Sequence, residues 1–408
     1  MHMSLIDHAI WWHVYPLGAC GAPIRHAAGP LEHRLRRLDP WLDYVIELGC
    51  SGLLLGPIFN STAHGYDTLD YFSIDPRLGD DEDFDHLMAE CNRRGLSVVL
   101  DGVFNHVGIE HPMVAEALKE PSTSLIRLQR DADGVRPEDW EGHGGLANLD
   151  HTNPAVADLV TDVMLHWLRR GIAGWRLDVA YAVPSEFWRE VTARVRTEFP
   201  DALFIGEVIH GDYPEIAQAG TLDTVTQYEL WKAIWSSLKD QNFFELAWTL
   251  KRHDEFSREV VMQTFVGNHD VSRIASLVGD AGAALAVAIL MTTPGMPSIY
   301  YGDEQGFRAE KGTGEAADDP MRPPLPESPA GLVKNGEWLH RLHQDLIGLR
   351  RRNPWITRGH LEVSDNDQRN ITYQVEADGH VMHTELGSTP QPYVKVLVDG
   401  EVQFTWNG

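Results

Sequence analysis

Three short apolar runs in this chain each lead to a carboxylate, and that pattern constrains the fold more than any other feature. GIAGWRLD closes on Asp178, ALFIGEV carries Glu207, and VVMQTFVGNHD closes on Asp270. Runs rich in Val, Ile, Leu and Phe read as strands buried on both faces, as in a parallel sheet covered by helices. A parallel barrel presents all its strand ends on one face, so the three runs predict one site assembled from distant segments.

The rest of the chain keeps the same rhythm. IWWHVYP, GLLLG and SVVLDGVF read as strands, and WLDYVIEL and DFDHLMAECNRR between them read as amphipathic helices. After Asn153 the alternation resumes with a helix over Ala155 to Arg169, the strand to Asp178, a helix over Ser185 to Phe199, and the strand at Glu207. Two further strands are expected at Thr221 to Thr226 and Val260 to Val266, an eighth at PSIYYG, and a last helix from Glu337 to Arg352. Eight strand-like runs without a shorter repeat predict an α/β fold, a closed (β/α)8 TIM barrel, over a doubly wound sheet.

Two segments depart from that rhythm. Residues 107–153 include the polar stretch DADGVRPEDWEGHGG, too long for an ordinary βα connection, and read as an inserted lid or subdomain after strand 3. From about Thr357 the period becomes two, in ITYQVEA and YVKVLVDGEVQFTW, with Asp399-Gly400 as a hairpin signal. The predicted organisation is a catalytic barrel over 1–106 and 154–352, the insert, and a C-terminal antiparallel β domain over 353–408. A unit of that size is marginal alone and should pack on the barrel.

The formal net charge is -26, from 60 acidic and 34 basic side chains, a field that repels phosphate backbones and argues against a nucleic-acid partner. The longest apolar run, Ala283 to Met291, is too short to span a bilayer, so no membrane association and a cytoplasmic location are expected. The opening Met1-His2-Met3 resembles a remnant placed before a native start, which leaves a removed signal peptide open. Cys20, Cys50 and Cys91 are widely spaced and read as buried thiols.

A pair of carboxyl groups, one nucleophile and one proton donor, is what retaining glycoside hydrolysis requires. Arg176 lies two residues before Asp178, so on a strand both point the same way and the guanidinium is expected to hold Asp178 ionised. Glu207 follows LFIG, where desolvation is expected to keep it protonated as the general acid. Asp270, beside His269, suits stabilisation of positive charge at the anomeric carbon.

At these residues the sequence resembles the α-amylase family of glycoside hydrolases, from about Trp11 to Arg352. DGVFNH with Asp101, Asn105 and His106, GWRLDVA with Arg176 and Asp178, GEV with Glu207, and VGNHD with Asn268, His269 and Asp270 match its motifs in order. GPIF, HGYDT with His64, Tyr66 and Asp67, and MPSIYYGDE match as well. GWRLDVAYAVPSEFWRE after NLDHTNPAV is most similar to the neopullulanase and cyclomaltodextrinase branch, without a counterpart of its N-terminal β domain.

The resemblance implies Asp178 as nucleophile, Glu207 as acid/base and Asp270 as transition-state stabiliser. By the same implication Tyr66 stacks beneath the cleaved sugar, and His106, Arg176 and His269 contact its hydroxyls or orient Asp178. His64, Asp67 and Asp101, within the matching motifs, complete the expected substrate-binding set. Calcium wants six to eight oxygen ligands. The loop LGACGAPIRHAAGP holds no carboxylate, and of a second family site only Asn105 and the candidate Asp150 persist, with Ala182 in the third place. No cofactor and no required calcium are expected.

The function expected is retaining hydrolysis of α-glucosidic bonds in malto-oligosaccharides or related α-glucans. A glucanotransferase or trehalose synthase-like isomerase would use the same carboxylates and differ at the acceptor surface, for which Trp140, Val208, Ile209 and His210 are candidates. A non-catalytic carbohydrate-binding barrel is the third alternative.

Overall fold

The computed structural model describes residues 4–25, 29–131 and 134–408. Met1-His2-Met3, part of the loop after the first strand (His26 to Ala28) and part of the polar insert (Ala132, Asp133) lie outside the described residues.

Eight parallel strands form one sheet in chain order: β1 (Trp11–Val14), β2 (Gly52–Leu55), β3 (Ser97–Gly102), β4 (Gly174–Leu177), β5 (Leu203–Gly206), β6 (Thr224–Val225), β7 (Gln263–Phe265) and β8 (Met296–Tyr300). β1 pairs with both β2 and β8, and a parallel bridge between Thr226 and Gln263 joins β6 to β7. The Gln227 amide donates to Gln263 O at 2.9 Å across that seam, so the sheet closes into the expected TIM barrel. β6 is far shorter than the expected run from Thr221. Thr221 sits in left-handed backbone as the C-cap of the preceding helix, which leaves few residues for the strand.

Alternation along the strands sorts the side chains. Trp12, Leu53, Leu55, Val98, Leu100, Trp175, Leu177 and Phe204 pack with the surrounding helices. Trp11, Leu54, Val99, Leu203, Ile205 and Met296 fill the barrel with Ile6 and Ala9 from the N-terminal segment. The apolar plug occupies the lower end, and polar inward positions remain at the carboxyl ends.

The helices α1 (Asp39–Leu48), α2 (Asp81–Arg94), α3 (Pro154–Arg169), α4 (Ser185–Glu198), α5 (Tyr213–Gly220), α6 (Tyr228–Asp240), α7 (Phe244–Ser257), α8 (Ile274–Thr292) and α9 (Glu337–Arg352) follow their strands. α2 starts at a capping box made by Asp80 and Asp83 and ends at Gly95 with φ 71°. By length and composition α8 could cross a membrane, which the run Ala283 to Met291 alone did not suggest. Its second half is buried without interruption from Ala283 to Thr292, as befits the wall helix between β7 and β8. Arg350 donates to Met291 O, Thr293 O and Gly295 O, and Arg351 donates to Gly49 O, so two arginines cover the terminal carbonyls of α8 and α1.

After β3 the chain forms a three-stranded sheet from His106–Gly108, Asp139–Trp140 and His143–Asn148, beside a hairpin of Leu128–Asp131 with Gly134–Pro137. The C-terminal sheet is an antiparallel meander of β9 (His360–Asn366), β10 (Asn370–Ala377), β11 (His380–Gly387), β12 (Tyr393–Val398) and β13 (Glu401–Asn407). Asp399 and Gly400 take φ values of 52° and 85° between β12 and β13, the left-handed pair that a two-residue hairpin needs. This sheet packs on the barrel through the 2.6 Å contact of Tyr373 Oη with Thr292 Oγ1 and the bonds of Asp254 to His360 and the Leu361 amide.

Candidate active site

Register places the charged side chains. Arg176 on β4 lies directly opposite Asp101 on β3, and opposite Ile205 on β5. One step further, the Asp178 amide donates to Gly102 O and the Glu207 amide to Leu177 O, so Asp178 and Glu207 leave neighbouring strands at one level. Arg176, 4% exposed, is the hub. Its Nη1 donates to Asp101 at 2.7 and 2.8 Å and to Asp178 Oδ1 at 3.1 Å, and its Nη2 forms an ion pair with Glu207 Oε1 at 2.7 Å.

Sharing one guanidinium among three carboxylates alters the electrostatics expected from sequence. Burial, then the charge of Glu207, pushes the Asp178 carboxyl well above its usual range, and Arg176 only opposes this. Arg176 thus draws Asp178 toward its charged form, as expected, but shares its charge with Asp101 and Glu207. Asp101 is pushed up to about 6 by burial against the pull of Arg176. Glu207, at the strand end that follows LFIG, is buried. Phe204 turns outward, and the carboxylate receives the Val179 amide at 3.0 Å and the Tyr228 hydroxyl at 3.1 Å.

Val179 takes φ 49°, an unusual backbone for a β-branched residue. Its amide thereby turns toward Glu207, and strain of this kind concentrates at functional sites.

Asp270 stands on the loop after β7. Its amide donates to Asn268 Oδ1 at 2.9 Å, its carboxylate pairs with Arg322 at 3.1 Å, and its carbonyl accepts from Lys311 at 2.9 Å. The loop passes close to Asp303, where a Cβ on Gly267 would come within 2.1 Å of a carboxylate oxygen. His269 is kept neutral by burial and by Arg322 and Arg176. Tyr66 donates its hydrogen to Asp101 Oδ2 at 2.9 Å, so its oxygen accepts from His269 Nε2, which therefore carries the ring hydrogen. The same nitrogen lies 3.0 Å from Asp270 Oδ2.

The remaining expected residues gather around this centre. His106 is pushed down to about 4 by burial, lies 3.1 Å from Tyr66 O and parallels the Trp140 ring at 6.2 Å, which brings the segment after β3 to the site. His64 lies 3.8 Å from buried Asp67, and its carbonyl accepts from Tyr15 at 2.6 Å. Ile209 is exposed and His210 packs its ring against Tyr181 at 5.0 Å. Val208 is not part of that surface. It is buried, with its amide bound to Thr226 Oγ1 at 2.8 Å.

Sequence pattern marked neither Tyr228 nor the Arg322 and Lys311 pair. Tyr228 opens α6 with the look of a core aromatic, and Arg322 comes 52 residues after Asp270 in a Pro-rich loop. Beneath Arg176 and Tyr228 is a cavity of about 20 Å³, room for about one water. A larger cavity of about 770 Å³ lies at the opposite end of the barrel beside Leu5, Arg350 and Arg351, remote from the carboxylates.

Two of the calcium candidates make local contacts. Asn105 Nδ2 lies 3.1 Å from His106 Nδ1, and Asp150 Oδ1 accepts from the Thr152 amide and hydroxyl. Among the described residues, the His, Cys and carboxylate group with metal-like spacing is His33, Asp80 and Asp83, already committed to the α2 cap and to Arg36.

Residues 38–141 and 140–345 match the alpha-amylase family, described as the alpha amylase catalytic domain. The chain belongs to the α-amylase family of glycoside hydrolases. Within this family it is 31% identical over 348 residues to the intracellular maltogenic amylase of Bacillus subtilis (strain 168), covering 81% of this chain and 57% of that protein. It is also 31% identical over 356 residues to neopullulanase 2 of Thermoactinomyces vulgaris, covering 81% of this chain and 58% of the other. The match thus spans a little over half the length of these relatives, whose names fit the neopullulanase and cyclomaltodextrinase branch. Among solved structures, the cyclic α-maltosyl-(1→6)-maltose hydrolase of Arthrobacter globiformis superposes with a TM-score of 0.82 at 26% identity, with 98% of both chains covered.

Proposed function

We propose that the protein is a retaining α-glycosidase that hydrolyses α-glucosidic bonds in malto-oligosaccharides or related α-glucans. One observation carries this reading: the single guanidinium of Arg176 meets both Asp178 and Glu207 at the ends of adjacent strands. A fork that small suits the close carboxyl pair of a retaining site better than the wider pair that leaves room for water in an inverting one.

In this reading Glu207 gives a proton to the leaving oxygen as the glycosidic bond breaks, and the Asp178 carboxylate bonds to the anomeric carbon. Glu207 then takes a proton from the water that displaces Asp178, so the product keeps the α configuration. Asp270 and His269 bind hydroxyls of the sugar and stabilise its developing positive charge. Tyr66 lies beneath the ring, while His64, Asp67, Asp101, Arg176 and His106 orient it or hold the carboxylates.

The substrate class rests on the relatives, since the maltogenic amylase, the neopullulanase and the cyclic maltosyl-maltose hydrolase are named for α-glucans. A cytoplasmic location rests on the intracellular Bacillus subtilis relative. No required calcium is proposed, since Ala182 supplies no side-chain oxygen in the third ligand place and the loop after the first strand holds no carboxylate.

The test is the first product released from maltotriose and from soluble starch, with its anomer read by NMR before mutarotation. Glucose and maltose in the α form support the proposal. A β product overturns retention, and new disaccharides or longer oligomers from maltose would assign the same site to transglycosylation or isomerisation instead.

A further inference from the structure

A chain of hydrogen bonds with one possible polarity runs from the Asp270 loop to Glu207. The Asp270 amide can only donate, so the Asn268 side-chain atom 2.9 Å from it is the carbonyl oxygen. That turns the Asn268 NH2 toward Tyr228 Oη, which it meets at 2.9 Å. With that lone pair taken, the phenolic hydrogen of Tyr228 points to Glu207 Oε1, 3.1 Å away. Oε1 also faces Arg176 Nη2 at 2.7 Å.

We infer that Tyr228 is a positioning residue for the acid/base. Held as a fixed donor by Asn268, it joins Arg176 on Glu207 Oε1 and leaves the transferred proton to Oε2, whose one protein donor is the Val179 amide at 3.0 Å. The inference rests on the assignment of Glu207 above and names a residue that the catalytic motifs do not contain. Burial, then the charge of Glu207, drives the Tyr228 phenol far above its ordinary range, so it stays a donor throughout the working pH span.

A hydrogen bond donated to the carboxylate favours its charged form. The titratable and charged groups facing Glu207 are Arg176 from β4, Asp178 at its end, Asp101 from β3, Tyr181 from the turn after β4 and Tyr228, and Asp270 faces Tyr228. Tyr228→Phe changes none of the other charges and keeps the ring that packs edge-on against Phe265 at 4.9 Å.

The test is the pH profile of kcat/KM on maltotriose for the wild type, Tyr228→Phe, and a protein with 3-fluorotyrosine at position 228. The general acid must be protonated in the free enzyme, so it sets the basic limb. Tyr228→Phe should move that limb up by about one pH unit, and the more acidic phenol should move it down. A merely structural role would lower the rate at every pH and leave the limb in place, and that result overturns the inference. Glu207→Gln separates the two readings. If it abolishes turnover while the limb of Tyr228→Phe does not move, only the positioning role falls. If Glu207→Gln remains active, the acid/base assignment falls and the positioning role with it.

Discussion

Arg176→Met should cost the protein stability in a pH-dependent way. The replacement preserves most of the side-chain volume but strips the cation from Asp101, Asp178 and Glu207, all at most 6% exposed. Removing one partner of a buried ion pair costs about 3–5 kcal/mol. At about 2.1 cal/mol/K of unfolding entropy per residue, a 408-residue chain loses about 1 °C per kcal/mol, so Tm should fall by about 5 °C near pH 7.5. Asp101 is already raised by burial from 3.8 to about 6, and Asp178 is raised further; loss of the arginine raises both again.

A carboxyl whose folded pKa is raised contributes stability below its unfolded value, and that contribution is lost as pH rises through the folded value. In the variant the carboxyls take up protons near pH 5 and the missing cation is little felt there. The Tm difference between wild type and variant should therefore shrink to about 2 °C or less at pH 5, since each unit of pKa is worth about 1.4 kcal/mol. Scanning calorimetry at pH 5.0, 6.0 and 7.5 measures it. An equal loss at all three would show that Arg176 contributes packing rather than charge, and would refute this account of the site.

Asp178→Asn should lower kcat on maltotriose by about four orders of magnitude with little change in Tm, as expected for a nucleophile; loss of only a few-fold would remove that assignment. Glu207→Gln should lose turnover of malto-oligosaccharides yet keep a larger share of activity on α-maltosyl fluoride, whose leaving group needs no proton, and equal loss on both would contradict an acid role. Arg322→Ala frees Asp270 from its 3.1 Å ion pair and should lower kcat/KM about 10- to 100-fold, with single-turnover kinetics locating the loss in the chemical step. Dialysis against EDTA should leave activity on maltotriose unchanged; activity lost and then restored by calcium would reverse the expectation drawn from Asn105, Asp150 and Ala182.

The barrel was legible because its strands are buried on both faces and its helices are amphipathic. Two periodicities mark the same eightfold alternation, and Arg352 closes the last helix as expected. The C-terminal sheet announced itself by period two and by Asp399-Gly400. What pattern could not show is how little of β6 is strand, because Thr224–Val225 is held by its neighbours at Ile205 and Gly206 and not by an apolar run of its own. The helical potential of α8 was likewise hidden by Gly279, which interrupts the run at φ 72°.

Within the site, strand period two carried Arg176 and Asp178 to one side, and strand-end position carried Glu207 and Asp270. The partners that orient them come from loops whose approach depends on the closed barrel: Tyr228 from the start of α6, Arg322 from the loop after β8, Tyr15 and His64 from the loops after β1 and β2. The charge state was illegible for a related reason. A sequence pairs Arg176 with its nearest carboxylate, whereas the folded barrel makes it face three.

That crowding has a mechanistic consequence. In the free protein Asp178 receives one arm of a shared cation, while Glu207 receives the other arm, an amide and a phenol. More donors thus face Glu207 than Asp178, although Glu207 is the group that must carry a proton in glycosyl transfer. Interacting carboxyls titrate as a pair, and binding of a sugar acts on both members of it. Positive charge growing at the anomeric carbon favours the Asp178 anion, and the glycosidic oxygen offers Glu207 an acceptor for its proton. The pH profiles of kcat/KM and kcat report the free and substrate-bound states respectively, so their limbs should differ, with the basic limb of kcat at the higher pH. Coincident limbs would mean that substrate leaves the titration of the pair unchanged, and that the donors around Glu207 govern orientation alone.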